Sequence, residues 1–431
     1  MARAAAWSGG GPRPGWRPER ALARVDPEVA AAIAQERGRQ GRQLSLLASE
    51  SLPSRAVREA EDAALARRYA EGLPGARHSV GCQHLDALEE LARRRATALF
   101  GAQHANVQPH SGTQAVLAAF LALCRPGETI LALDPGCGGH LAHGGPLGAA
   151  ASLYRFVHYG VHRDTGRIDL DEVLAMARRQ RPALLVVGGS GYPRALDFAG
   201  FAEVAALVGA PLMVDMAQIA GPVAVGLHPS PCPFADVVVT TTHKTLRGPR
   251  GGAILCRAGL ARAVDQAVYP GVQGGPLMQV IAAKAVAFAE AGRPDFAAYQ
   301  GQVLRNAAAL ARALATLGFA LVAGGTDTHL LIVDLRAHGL TGRQAERLLE
   351  EAGILCTRQP VPYDPHPPAR ASGIRLGTAV VTGRGMGEPE MGDLAAVIAL
   401  VLRAAAAGRE AAVAEAAGMV ALLAERFPLP A

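Results

Sequence analysis

Of the 43 basic residues in this 431-residue chain, only two are lysines. One of them, Lys244, stands in Val237-Val-Val-Thr-Thr-Thr-His243-Lys244-Thr-Leu-Arg-Gly-Pro-Arg250. The β-branched run reads as a strand, and the Gly/Pro/Arg run after it reads as a tight turn. A lysine at that join can point its amine into a cleft, where burial or nearby cations lower its pKa and free it to form an imine with a carbonyl compound. The simpler reading is a solvated loop lysine. In a chain that uses arginine almost everywhere, however, an ordinary surface cation would be arginine, and only lysine can make an imine. The second lysine, Lys284, lies in the helical stretch Val280-Ile-Ala-Ala-Lys-Ala-Val-Ala-Phe288 and is read as structural.

An imine-forming lysine that works with pyridoxal phosphate needs an anion site, a carboxylate for the ring nitrogen, a group against the ring face and a cation for a substrate carboxylate. Each has a candidate. His110-Ser111-Gly112-Thr113-Gln-Ala-Val-Leu-Ala-Ala-Phe120 places small hydroxyl and glycine residues at a helix start, where free N–H groups and the helix dipole hold phosphate, although the same run would serve as a plain helix cap. Asp215 ends an apolar strand, the place where ligands of open α/β sheets gather, and could equally cap the next segment. The loop Gly138-Gly-His-Leu-Ala-His-Gly-Gly145 offers His140 as a ring-stacking residue, a base or a polar loop histidine. Arg375, in Ser372-Gly-Ile-Arg-Leu-Gly-Thr378, is a fork-shaped cation suited to a carboxylate or to a surface pair.

The elements that would position these residues alternate. Strand candidates at 129–133, 183–187, 211–215 and 236–240 are separated by Ala/Leu-rich helical stretches, which predicts a mostly parallel sheet covered on both faces. A 50% hydrophobic composition can fill the cores of two or three domains in a chain of this length. The division expected is a Gly/Pro/Arg-rich extension over 1–24 holding both tryptophans, Trp7 and Trp16; an arm and large domain over 25–293; and a smaller α+β domain over 294–431. In the last of these, a helix is expected at 302–317, strands at 319–322 and 329–334, and further helices over about 388–425. Order is expected to begin at Asp26-Pro-Glu-Val, an N-cap followed by proline at the first helical position. The six cysteines are scattered, with no Cys/His cluster at metal spacing, and are read as reduced thiols. No run of 18 apolar residues and no secretory signal is visible, so a cytoplasmic protein is expected. The net charge of +6 is spread among interspersed acids, which does not point to nucleic acid.

The chain resembles the serine hydroxymethyltransferase family, through Thr241-Thr-His-Lys244 with Arg247-Gly-Pro-Arg-Gly-Gly252, and through Leu46-Leu-Ala-Ser-Glu50 and Tyr69-Ala-Glu-Gly-Leu-Pro-Gly75. Ala105-Asn-Val-Gln-Pro-His-Ser-Gly112, Met213-Val-Asp-Met-Ala217 and Pro270-Gly-Val-Gln-Gly-Gly-Pro276 also match, in order, across about residues 26 to 400. The resemblance implies an α/β fold of the aspartate aminotransferase type and an obligate homodimer with sites at the subunit interface, often paired into tetramers. It also implies pyridoxal phosphate held by Lys244, with Asp215 on its ring nitrogen and His140 stacked on the ring. Ser111, Gly112, Thr113 and the partner's Gly275 would hold the phosphate. Ser190, His243 and Gln218 would complete the cofactor's surroundings, and Ser49 and Arg375 would hold the amino acid carboxylate. Tyr69 and Glu71 would come from the other subunit, with Glu71 shuttling a proton. The implied reaction moves the hydroxymethyl group of serine to tetrahydrofolate.

The departures cluster near the folate. His78 and Ser79 stand where the family has two tyrosines, Pro135 replaces a leucine, Gln359 an asparagine, and Gln218 a histidine. A lost aromatic platform weakens binding by about 0.5–1.5 kcal/mol. Gln218 can hydrogen-bond but cannot titrate near neutrality. Two further readings therefore stay open: a β-hydroxy amino acid aldolase or threonine transaldolase that uses no folate, and a non-catalytic cofactor-binding or interaction protein.

Overall fold

Short runs of Val, Ile and Leu alternating with Ala-rich stretches build one large sheet covered on both faces. The computed structural model describes residues 21–62, 64–404 and 409–430. Its larger sheet comprises β1 (His104–Asn106), β2 (Thr129–Leu133), β3 (Arg155–Tyr159), β4 (Leu184–Gly188), β5 (Leu212–Asp215), β6 (Val237–Thr241) and β7 (Gly252–Cys256). The strands lie in the order β1-β7-β6-β5-β4-β2-β3. From β6 to β3 all neighbours run parallel, and β7 runs against both β6 and β1. Every residue of β4 to β7 is buried, as expected of central strands with both faces covered. Alternate side chains enter opposite cores. Leu185, Val187, Val214 and Val238 face one side, while Leu184, Val186, Met213 and Val239 face the other. The expected strands are found, each within one residue of its place.

The helices that carry the argument are α1 (Pro27–Arg42), α2 (Gln83–Phe100), α3 (Gly112–Leu123), α4 (Met278–Ala291), α5 (Pro294–Thr316), α6 (Glu388–Arg403) and α7 (Arg409–Arg426). Asp26 caps α1 by accepting from the Val29 N–H, with Pro27 in the first turn. Regular structure is present ahead of Asp26: Leu22–Val25 forms a helical turn, closed by the Asp26 N–H on Leu22 O. Residues 1–20, and with them both tryptophans, lie outside the described residues. Helix α5 starts at Pro294 rather than 302, because proline is at home in a first turn and the N-terminal half of the helix continues the apolar stripe with Phe296 and Val303.

A second sheet follows, made of β8 (Ala320–Leu321), β9 (Leu330–Asp334), β10 (Thr357–Gln359) and β11 (Gly373–Gly377) in the antiparallel order β8-β9-β11-β10. Strand β8 is shorter than the 319–322 expected, since the chain turns at Val322–Gly324. The sheet shares a core with α5, α6 and α7. The N-terminal arm joins this core too. Leu44–Ser45 pairs in parallel with Ile354–Leu355, and Leu44 and Leu46 are fully buried there. The Gly377 N–H bonds to Leu46 O, and His329 Nε2 lies 3.0 Å from Ala48 O. The six cysteines are free thiols. Among the described residues no helix is long and apolar enough to cross a membrane.

Candidate active site

The carboxyl ends of β5 and β6 lie side by side, with Asp215 in register with Val239. Asp215 is the last residue of β5, and β6 runs directly into the turn that carries Lys244. That turn is closed by backbone and hydroxyl bonds. The Gly248 N–H donates to Thr242 O at 2.8 Å, the Thr242 N–H to Gly251 O at 3.1 Å, and the Thr242 hydroxyl to Pro249 O at 2.6 Å. Thr245 anchors its far side, donating to Gln218 O at 3.0 Å and accepting from the Gly221 N–H at 2.9 Å. The result aims Lys244 inward with only 9% of its surface exposed.

A cavity of about 360 Å³ opens over these strand ends. Ser49, Ser111, Gly112, Thr113, His140, Ser190, Asp215, Gln218, His243, Lys244 and Arg375 all line it. Ser111 caps α3 by accepting from the Gln114 N–H at 3.2 Å, so the first turn of α3 opens onto the cavity with further N–H groups that have no intrahelical acceptor. Arg375 arrives from the other sheet. It lies on β11 between Ile332 and Thr357 of the flanking strands, and its Nη1 donates to Ser190 O at 2.6 Å. Its Nε is buried without a partner, as is Gln218 Oε1.

Electrostatics follow from burial and proximity. Burial pushes the Lys244 amine down to about 8, Arg375 and Arg250 push the same way, and Asp215 opposes. Burial works to raise Asp215, but His143, His140 and Lys244 outweigh it and hold the carboxyl at about 2. Burial also holds His140 and His243 neutral, each at about 4, despite the pull of Asp215 on His140. His140 Nδ1 accepts from the Ala142 N–H at 3.1 Å, which leaves its proton on Nε2. Arg375 is lowered by burial to about 10 and stays cationic.

Three of the residues singled out in the sequence are absent from this cavity. Tyr69, Glu71 and Gly275 form a cluster of their own. A Cβ built on Gly275 would stand 3.4 Å from Glu71 Cγ and 3.5 Å from Tyr69 Cε1, and Tyr69 is 64% exposed. Two further polar residues belong with the site. Arg250, which lines the cavity, sits in the quoted Arg-Gly-Pro-Arg motif but had been given no part, and His143, which is not among the lining residues but stands against Asp215, was passed over in favour of His140. His143 is fully buried with Nε2 3.2 Å from Asp215 Oδ2, and its carbonyl lies 2.9 Å from His158 Nε2. Its spacing from His140 in a glycine-rich loop was the available signal. His140, His143 and Asp215 also bring ligand atoms within 4.8 Å of one another, a metal-like grouping that a search for Cys/His spacing overlooked because Asp215 comes from a different strand.

The sequence profile described as Serine hydroxymethyltransferase matches residues 22–398. The chain belongs to the serine hydroxymethyltransferase family. It is thereby a pyridoxal phosphate-dependent enzyme of the glycine hydroxymethyltransferase type, and its α/β fold with a mostly parallel seven-stranded sheet is that of the family. The cavity fits the cofactor that serine hydroxymethyltransferases carry. A buried anionic carboxylate, a buried amine of depressed pKa and an open helix N-terminus face one space, and the unpartnered Arg375 Nε and Gln218 Oε1 leave polar atoms free for a ligand.

Proposed function

We propose that this serine hydroxymethyltransferase family member interconverts serine and glycine and passes the one-carbon unit to tetrahydrofolate. The observation that carries the reading is the convergence of Lys244, Asp215 and Arg375 on one cavity, since a nucleophilic amine, a fixed anion and a carboxylate-binding cation are the three groups this chemistry needs together. With pyridoxal phosphate bound, the site gains an electron sink for the carbanion left when the substrate's hydroxymethyl carbon departs. The residues do the rest. Lys244, near 8, has a sizeable neutral fraction at mildly alkaline pH and can attack a carbonyl carbon. Asp215 stays anionic and can keep a proton on a facing ring nitrogen. The first turn of α3 offers backbone N–H groups to a phosphate, with Ser111 and Thr113 hydroxyls beside them.

Arg375 presents its guanidinium to the amino acid carboxylate, with Ser49 alongside, which orients the bond to be broken. Its Nη1 bond to Ser190 O fixes the fork. His140, neutral with its proton on Nε2, would pack against the cofactor ring, with His243, Ser190 and Gln218 lining the same cavity around it. Tyr69, Glu71 and Gly275 serve the cavity of a partner subunit, Gly275 beside the phosphate and Glu71 moving a proton at the substrate hydroxyl, so the working unit is at least a homodimer. The location that goes with this activity is the cytoplasm.

One observation favours a second reading, retro-aldol cleavage without folate. At the two positions where the family carries tyrosines, His78 lies 5.7 Å from the Tyr269 ring centroid, and Ser79 offers no stacking face. Product analysis with serine, threonine and allo-threonine, each with and without tetrahydrofolate, separates the two. Tetrahydrofolate-dependent release of glycine from serine, abolished in Lys244→Ala, is the expected result. Glycine from allo-threonine alone, indifferent to folate, would replace the first reading by the second, and no product from any substrate would leave a cofactor-binding protein without catalysis.

A further inference from the structure

Lys284, the chain's other lysine, does not line the Lys244 cavity. It lies on α4 with 1% of its surface exposed. Its Nζ donates to three backbone carbonyls, Val107 O at 2.7 Å, Gly252 O at 2.8 Å and Pro109 O at 3.0 Å. Burial pulls the amine down to about 7, with Glu89 opposing, but in its protonated form three donors meet three acceptors and are satisfied without a carboxylate partner. Arginine could not substitute, because its planar fork cannot aim three N–H groups at oxygens converging on one point. An ammonium placed so deep is expensive, and an apolar side chain on α4 would avoid that penalty. What the amine offers instead is a fixed geometry among those three carbonyls.

The carbonyls belong to the two segments that hold the candidate site. Val107 and Pro109 lie in the run from β1 to α3, immediately ahead of Ser111. Gly252 opens β7, directly after the turn that carries His243, Lys244 and Arg250. The Gly252 N–H also donates to Pro109 O at 3.0 Å, so the two segments already touch where Nζ binds them. Close approach is built into Gly251. A Cβ there would fall 2.5 Å from Lys284 Cε and 2.9 Å from Nζ.

We propose that Lys284 is a positioning residue whose ammonium fastens the phosphate-receiving N-terminus of α3 to the turn that carries Lys244, setting the separation between the two anchors of a single cofactor. The inference rests on the reading of the cavity as a pyridoxal phosphate site. A rigid ligand held at both ends gains from both anchors only if their spacing is fixed in advance, and a slack of about 1 Å is enough to lose much of the gain. Burial chiefly keeps His110 and His243 below the usual histidine range; Lys284 adds to this at His110, and at His243 it ranks behind Arg250 and Lys244.

The test uses cofactor-free full-length protein and two variants, Lys284→Met, which removes the amine, and Gly251→Ala, which keeps it but crowds it out of its cage. Dissociation constants are measured for pyridoxal phosphate and for pyridoxal, which lacks the phosphate, alongside the thermal midpoint of each cofactor-free protein. Losing a charged hydrogen-bond set that spaces the anchors should weaken pyridoxal phosphate roughly tenfold or more in both variants. Pyridoxal, held at the Lys244 end alone, should change by less than about threefold. Should Lys284→Met fail to fold, Gly251→Ala decides the matter. Equal weakening of both ligands, or weakening of neither, would overturn the proposal and leave Lys284 a plain core residue. If the unaltered chain bound no pyridoxal phosphate at all, the cofactor reading would fall and take this inference with it.

Discussion

The amine of Lys244 is tuned by neighbours of opposite effect, and each can be removed separately. Burial, Arg375 and Arg250 lower it from 10.5 to about 8, and Asp215 raises it. The neutral form is the nucleophile, so in cofactor-free protein the rate of adduct formation with pyridoxal should climb as pH rises through about 8 and then level off. Asp215→Asn removes the group that favours the charged amine and should move the midpoint to lower pH, whereas Arg375→Met should move it higher. A midpoint indifferent to both changes would separate Lys244 from these side chains. Much of this site could be read from the sequence because lysine is so rare here that its position is informative, and because Asp215 and Arg375 sit at the ends or middle of recognisable strands. His143 could not be read in the same way. Its contact with Asp215 spans 72 positions and depends on how a glycine-rich loop folds over the sheet, for which the local sequence gives no periodicity.

At the scale of elements, the arm that carries Ser49 is held by segments far along the chain, the Gly353–Leu355 stretch and the second sheet. Backbone bonds at Leu44, Leu46 and Gly377, with His329 on Ala48 O, fix the residues just before Ser49. Gly377 is needed for this approach, since a Cβ there would lie 2.4 Å from Ala48 Cα. Gly377→Ala should therefore cost about 1–3 kcal/mol in stability, as overpacking against backbone does. It should also raise the KM for the amino acid by displacing Ser49. Denaturant unfolding and steady-state kinetics read the two effects, and a variant normal in both would detach the arm from the site. The parallel strands were legible because five-residue apolar runs between helices leave few alternatives. The pairing of Leu44–Ser45 with Ile354–Leu355 was not, because two-residue strands more than 300 positions apart carry no local pattern.

For the whole molecule, Tyr69, Glu71 and Gly275 stand together but outside the Lys244 cavity, so a single subunit separates groups that the proposed reaction would use jointly. Lys244→Ala and Glu71→Gln should each be inactive alone. If Glu71 acts across the interface, co-refolding the two in equal amounts should restore about a quarter of the normal site activity, because half the dimers are then mixed and each has one site free of both substitutions. No recovery would mean that Glu71 works within its own chain. The two lysines have a consequence at this scale as well. Lys244 faces an internal cavity and Lys284 is enclosed by main-chain oxygens, so the outside of the folded enzyme presents guanidinium groups in place of lysine amines. Acetyl transfer, glycation by sugars and ubiquitin ligation all begin with attack by such an amine, and none of them has a lysine on this surface to act upon.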